Sequence, residues 1–311
     1  MVRMEKIANT NSNTGEVTDE TAAVQVDAIV LAGGDGSVID PEISVKGLVE
    51  VAGKPMVQWV VEALRKAQQV REIAVVLPPG QDIEKWQDLC DYVVLSDGMI
   101  SENVAAGVKA LSKRGHVVVS TSDVPSVSPD AIDDMITQSL QRGADLSYPL
   151  IPEVAMLEAY PGTERTFFKL REGRVTGGNV MVFDSHQLEY LTKLGQEAFE
   201  ARKNPFKLAN IVGMRFAFKL AAGKLSMQDI EDCLNNFVGL KCAAILSNYA
   251  SIGADVDKPE DIPVIEAKLA EVDKAHSSNS SNGSSSSSKS SPAQSSPANN
   301  SPNDRPVDDD N

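Results

Sequence analysis

Three short stretches carry residue types and spacings with chemical potential. The first is LAGGDG (31–36), where an apolar run gives way to a glycine-rich turn, followed by an irregular segment, Lys46, and a second glycine turn, AGKP (52–55). Glycines let backbone amides approach a ligand closely and adopt positive φ, so a short strand delivering flexible backbone to a phosphate is the simplest reading. The second is STSDVPSVSP (120–129), in which Asp123 falls just past an apolar strand-like run. Open α/β sheets place ligands at that end of their strands, although an aspartate before Val-Pro is also an ordinary turn residue. The third is GADVDKPED (253–261), where Asp255 and Asp257 precede Pro259, Glu260 and Asp261. Those last three residues form a helix-start signal.

Two familiar phosphate patterns are excluded. No segment supplies the G-x-x-x-x-G-K-[ST] of a P-loop, because Gly53-Lys54 is followed by proline where a hydroxyl belongs. A dinucleotide fingerprint opens straight into a helix, whereas Gly34 and Gly36 lead into SVIDPEISV, and the second strand ends at Leu77-Pro78 without a ribose-binding acid. The three histidines, His116, His186 and His276, make no triad, and Cys90, Cys233 and Cys242 lack metal spacing and read as ordinary thiols of a reducing compartment.

The elements that must position these residues follow a βα rhythm. Val24–Leu31 reads as a central parallel strand, and Pro55 opens a helix with Met56, Val57, Val60, Val61 and Leu64 on one face. Strands at 72–77, 92–95, 116–120 and 145–151 alternate with helices at about 83–89, 102–113 and from Pro129 to Gly143, with Ser128 as N-cap. RTFFKLREGRVTGGNVMVF reads as an antiparallel excursion around a Glu-Gly turn, residues 185–237 as helices, 241–248 as a late strand, and the chain after DVDKPED as a final helix. The expected fold is α/β, a three-layer sandwich with a mostly parallel central sheet. Residues 1–23 read as a disordered N-terminal arm, 24–274 as the folded domain, and 275–311 as a disordered Ser/Asn/Pro-rich tail. The formal charge of −15 argues against nucleic acid and anionic membranes as partners. With no apolar run long enough for a membrane span and no signal-peptide h-region, a cytoplasmic location is expected.

LAGGDG, then Lys46, then LVEVAGKPMVQWVVEAL resembles the N-terminal signature LAxGxG(S/T)RM…PK…L…GxPM of nucleotidyltransferases, most closely the molybdenum-cofactor-guanylyltransferase-like NTP transferase group. STSDVPSVSP and GADVDKPED follow in the family's order, and the resemblance covers about residues 26–270. It implies a Rossmann-like, glycosyltransferase-A-type nucleotidyltransferase fold and transfer of an NMP group from an NTP to a small, phosphorylated acceptor with release of pyrophosphate. The implied nucleotide-binding backbone is Leu31, Ala32, Gly33, Gly34 and Gly36, with Glu102 and Asn103 as contacts to the base. Lys46 and Asp123 are the implied catalytic residues. Asp123 and Asp257 are the implied Mg²⁺ ligands, with Asp255 as the alternate to Asp257; hard oxygen donors suit that ion. Gly178 and Asn179 resemble an acceptor-touching turn, and Arg165, first among Lys169, Arg171, Arg174, Arg202 and Lys203, is the candidate for an anionic acceptor. The helical region about 185–237 is a candidate acceptor lid. Two positions depart from the pattern: Val38 stands where the family has arginine, and Val45 where it has proline. Val38 motivates a catalytically silent nucleotide-binding module as an alternative. A nucleotide-sugar-dependent glycosyltransferase using DVD (255–257) as its metal motif is the other.

Overall fold

The computed structural model describes residues 3–6, 24–201, 216, 218–219 and 222–282. Residues 1–271 make one compact unit, and residues 272–311 a second, whose described part is helical as far as Asn282.

In the first unit the chain runs through strands β1 (Arg3–Lys6), β2 (Val26–Leu31), β3 (Glu50–Val51) and β4 (Lys54–Pro55) into helix α1 (Met56–Lys66). Next come β5 (Val70–Leu77), β6 (Tyr92–Leu95), α2 (Ile100–Ala110), β7 (His116–Thr121) and α3 (Pro129–Arg142). β8 (Leu146–Pro152), α4 (Glu153–Ala159), β9 (Phe168–Lys169), β10 (Arg174–Gly177), β11 (Val180–Asp184) and α5 (Leu188–Ala201) follow. The described chain closes with α6 (Met227–Val238), β12 (Cys242–Leu246) and α7 (Ile262–Asn282).

Ten of these strands form one sheet in the order β1-β6-β5-β2-β7-β11-β8-β10-β9, with β12 also pairing β8. β2, β5, β6 and β7 are mutually parallel, and β12 lies parallel to β8. β11 inserts antiparallel between β7 and β8, and β10 is antiparallel to both β8 and β9. The sheet is therefore mostly parallel in strand direction, as the βα rhythm implies.

β2 shows how the sandwich is assembled. Its residues alternate between faces: Ala28 and Val30 pack with α1, α3 and α7, while Ile29 packs with α2. Apolar residues on both faces are what a central strand requires. Helix α2 lies close because Gly107 meets Ile29; a Cβ there would fall 2.9 Å from Ile29 Cγ2. The reversal of strand order on either side of β2 leaves a crevice at the C-terminal ends of β2 and β7.

Several expectations are corrected. Arg3–Lys6, read as disordered, instead pair antiparallel with β6, whose outer edge would otherwise leave its backbone groups unpaired; residues 7–23 lie outside the described residues. The helix expected at 83–89 is only a 3₁₀ turn at Gln87–Leu89. Its apolar anchors, Ile83, Trp86 and Leu89, recur every three residues, which is the 3₁₀ period rather than the α period. The final helix continues beyond 274 into the serine-rich tail, to Asn282; residues 283–311 lie outside the described residues. No described helix is long and apolar enough to cross a membrane.

Candidate active site

The glycine turn leaves β2 with the Ala32 amide still bonded to Val76 O at 2.8 Å, and then folds back on itself. Gly34 takes φ +86°, a conformation that favours glycine. The return segment is strapped to the turn: Lys46 N donates to Gly34 O at 3.0 Å and Gly36 N donates to Ser44 O at 3.2 Å. Only glycine fits at 36, where a Cβ would stand 2.6 Å from Ile43 O. Asp35 caps its own bend by accepting from Ser37 N at 2.9 Å, and buried Ile39 and Val45 anchor the loop to the core. The result fixes Lys46 directly beneath the turn.

Gly47 performs a second close approach. A Cβ on it would fall 2.5 Å from Ser122 Oγ and 3.2 Å from the Ala32 Cβ, so the turn after Lys46 is pressed against the end of β7. Ser122 N in turn donates to Leu31 O at 3.1 Å, which ties the two strand ends together and sets Asp123 opposite Lys46.

The carboxylates converge there. Lys46 Nζ lies 2.6 Å from Asp123 Oδ2 and 2.5 Å from Asp257 Oδ1. The other oxygen of Asp123 is held by Thr121 Oγ1 at 2.5 Å, with Asn179 Nδ2 at 3.4 Å. Val256 N donates to Asp123 O at 2.9 Å, so the DVD segment is sewn to the end of β7. Asp261, buried, accepts from Asp257 N at 2.9 Å and Lys258 N at 3.1 Å, in the helix-start role read from the sequence. Burial works against the charge on Lys46, but the Asp123 and Asp257 carboxylates outweigh it and hold its pKa above the ordinary lysine value.

Arg165 reaches the same cluster. Its side chain is only 11% exposed, its guanidinium pairs with the Asp255 carboxylate, and Nη2 donates to Asp255 O at 2.5 Å. Burial pulls its pKa down, against the pull of Asp261, Asp257 and Asp123. One oxygen from each of Asp123, Asp255 and Asp257 lies within 4.8 Å of the others. Such a set of hard donors fits a small divalent cation, and the Lys46 ammonium already sits as a cation between two of them.

The MobA-like NTP transferase domain matches residues 28–203, more than half of the chain. The chain belongs to that family. As an NTP transferase family member it is 42% identical over 264 residues to the 2-C-methyl-D-erythritol 4-phosphate cytidylyltransferase of Bifidobacterium longum subsp. infantis, covering 82% of this chain and 84% of that protein. It is 25% identical over 123 residues to the bifunctional protein GlmU of Bacillus licheniformis, covering 39% of this chain and 27% of that protein, so the chain spans about a quarter of that relative's length. A hypothetical transferase from Thermus thermophilus superposes with a TM-score of 0.67 at 30% identity, over 77% of this chain and 100% of that one.

The remaining expected site residues of this NTP transferase divide by what engages them. Gly33 opens onto free space, with nothing within 4 Å of a Cβ position. Gly178 is wedged against Ile252 O, and Asn179 N donates to Ile252 O at 2.6 Å, so the TGGN turn is built into the wall behind Asp123. Glu102 Oε2 accepts from Met99 N at 2.9 Å, and Asn103 bonds Ser96 Oγ at 2.7 Å and Gly98 O at 3.0 Å; both side chains organise the start of α2. Arg174 pairs with Glu153 at 3.0 Å, while Arg202 and Lys203 lie outside the described residues. Val38 points outward, 66% exposed. Sequence reading missed Thr121, Gly47 and the Arg165–Asp255 pairing, none of which carries a local signal, because each depends on a partner distant in the chain or on strand-end geometry.

Proposed function

We infer that this chain transfers a nucleotidyl group from an NTP to a small phosphorylated acceptor, with release of pyrophosphate and with Mg²⁺ as the metal. The observation that carries this reading is the Lys46–Asp123–Asp257 cluster, set beside an open glycine turn at the sheet's crevice. Asp123 and Asp257 are the residues that would hold the metal. Asp257 is the better second ligand because it is 63% exposed, whereas the charge of Asp255 is already matched by Arg165. A bound Mg²⁺ supplies charge neutralisation on the transferring phosphates.

The chain's own residues supply the rest. Amides of Gly33 and Gly34 offer donors to the triphosphate, while Gly36, whose amide is bonded to Ser44 O, shapes the turn; Lys46 offers a positive charge as negative charge builds at the α-phosphate. An acceptor phosphate oxygen attacks the α-phosphorus, the bond from that phosphorus to the bridging oxygen breaks, and pyrophosphate leaves with the electron pair. The acceptor oxygen is anionic near neutral pH, so no general base is required; among the described side chains, neither His116 nor His186 belongs to the cluster. Thr121 and Asn179 steady Asp123, and Arg165 anchors the segment that carries Asp257.

Within this class, the 42% identity to a 2-C-methyl-D-erythritol 4-phosphate cytidylyltransferase favours cytidylyl transfer to a sugar-alcohol phosphate. The test is a matrix of the four NTPs against sugar, polyol and pterin phosphates, starting with CTP and 2-C-methyl-D-erythritol 4-phosphate, read as pyrophosphate release. Release that disappears in Asp123→Asn supports the reading. Nucleotide binding by thermal shift with no release from any pair would replace it with a silent binding module.

A further inference from the structure

We propose that Lys46 and the divalent cation exchange places: in the nucleotide-free chain the Lys46 ammonium fills the carboxylate site, and the cation enters together with the triphosphate rather than ahead of it. The proposal rests on the assignment of Asp123 and Asp257 to a divalent cation made above.

Lys46 Nζ stands 2.6 Å from Asp123 Oδ2 and 2.5 Å from Asp257 Oδ1. A magnesium ion bonds oxygen at about 2.0–2.1 Å and, to bridge the two carboxylates, would need the Asp123 Oδ2 that Lys46 holds, so the two cations compete there. Among the other described carboxylate oxygens of Asp123 and Asp257, only Asp257 Oδ2 is left to a cation, and by itself it does not bridge to Asp123. Asp123 Oδ1 is occupied by Thr121 and faced by Asn179, and the Asp255 carboxylate is paired with part-buried Arg165. Metal binding to the free chain would therefore have to displace a part-buried ammonium and leave it uncompensated, a costly arrangement.

The triphosphate removes that cost. Lys46 lies under the glycine turn: a Cβ on Gly34 would be 3.5 Å from the Lys46 Cβ and 3.7 Å from its Cδ. A lysine is a compact charge on a flexible stem, so the displaced ammonium can swing toward the turn without backbone movement. Phosphates held on the amides of Gly33 and Gly34 would meet it there. The exchange leaves no charge unpaired: carboxylates trade a lysine for the metal, and the lysine trades carboxylates for phosphate. It also gives Lys46 a second duty, that of preventing the acidic pair from capturing metal without substrate.

Manganese binding to the full chain, followed by electron paramagnetic resonance in the absence of nucleotide, tests this. If Lys46 occupies the site more than about nine-tenths of the time, its removal tightens apparent affinity about tenfold or more. Lys46→Met is expected to show that gain, and Lys46→Arg, which keeps the charge, is expected to stay near wild type. The gain should vanish when Asp123→Asn is added to Lys46→Met. Equal affinity in wild type and Lys46→Met overturns the proposal, as does a gain that survives Asp123→Asn. Wild-type protein with ¹⁵N-labelled lysine gives an independent reading: the Lys46 ammonium signal should move when Mg²⁺ and a non-hydrolysable NTP analogue are added together, and an unchanged signal with both overturns the exchange. A tightened manganese site without turnover on any NTP would keep the exchange and reject the enzymatic reading; turnover without tightening would do the reverse.

Discussion

Asp123 has two oxygens with different work. Oδ1 accepts from Thr121 at 2.5 Å, and Oδ2 faces Lys46. Fixing one oxygen aims the other, and a hydrogen bond to a charged group contributes about 1.5–3 kcal/mol. Thr121→Val is therefore expected to lower kcat roughly tenfold or more with a smaller change in KM, while Asp123→Asn should abolish most turnover; steady-state kinetics on both variants checks this. A different residue-scale consequence concerns Cys90. Burial pushes its thiol up to about 12, with the Arg65 charge only partly opposing. A thiol whose folded pKa lies above its unfolded value stays protonated in the fold while the unfolded chain ionises from about pH 9 upward, so the fold loses stability as pH rises from there toward 12. The slope is about 1.4 kcal/mol per pH unit. Urea melts of wild type against Cys90→Ala between pH 8 and 11 should show the extra slope in wild type only.

At the scale of elements, the hairpin between β3 and β4 and the contact between β2 and β5 support the site from behind. Ala52 sits at φ +49°, where a Cβ is strained; Trp59 Nε1 donates to Val51 O at 2.8 Å, and Ala52 N donates to Glu266 at 2.8 Å, so the turn cannot relax. Ala52→Gly relieves that strain and is expected to stabilise the fold by about 0.5–1 kcal/mol, measured by denaturant unfolding. Asp27 on β2 is 3% exposed and is held by Arg71 of β5 at 2.7 and 3.0 Å. Burial still raises its pKa in spite of the arginine. Arg71→Met strands a buried carboxylate and should cost about 3 kcal/mol in the same assay at neutral pH. β12 solves an edge problem with side chains: Glu231 accepts from Ala244 N at 2.9 Å and Asn235 from Cys242 N at 2.6 Å.

For the whole molecule, the acidic cluster is arranged to be stable without a metal. Lys46 and Arg165 offset two of the three negative charges of Asp123, Asp257 and Asp255 from within the chain. Chelation by EDTA is accordingly expected to stop turnover while leaving the melting temperature within about 2 °C of its starting value, a shift of at most about 1 kcal/mol for a domain this large. A chain that needed the ion as a structural member would instead lose much of its stability on chelation.

Local pattern alone determined much of this protein. The period of apolar residues marked β2, α1, β6 and β7, because burial on one or both faces must repeat with the geometry of the element. Ser128 accepts from Ala131 N at 3.2 Å and Gly143 ends α3 at φ +54°, as the capping residues announced. The motif order identified Lys46, Asp123 and Asp257 as partners before any distance was known. What only the tertiary structure decided was how charges are shared among them: that Arg165 is committed to Asp255, that Thr121 turns Asp123, and that Lys46 stands between two carboxylates. Those pairings join residues up to 211 positions apart. Hydrogen bonds and ion pairs act over a few ångströms, so their partners are set by how strands stack in the sheet, which no local stretch of sequence encodes.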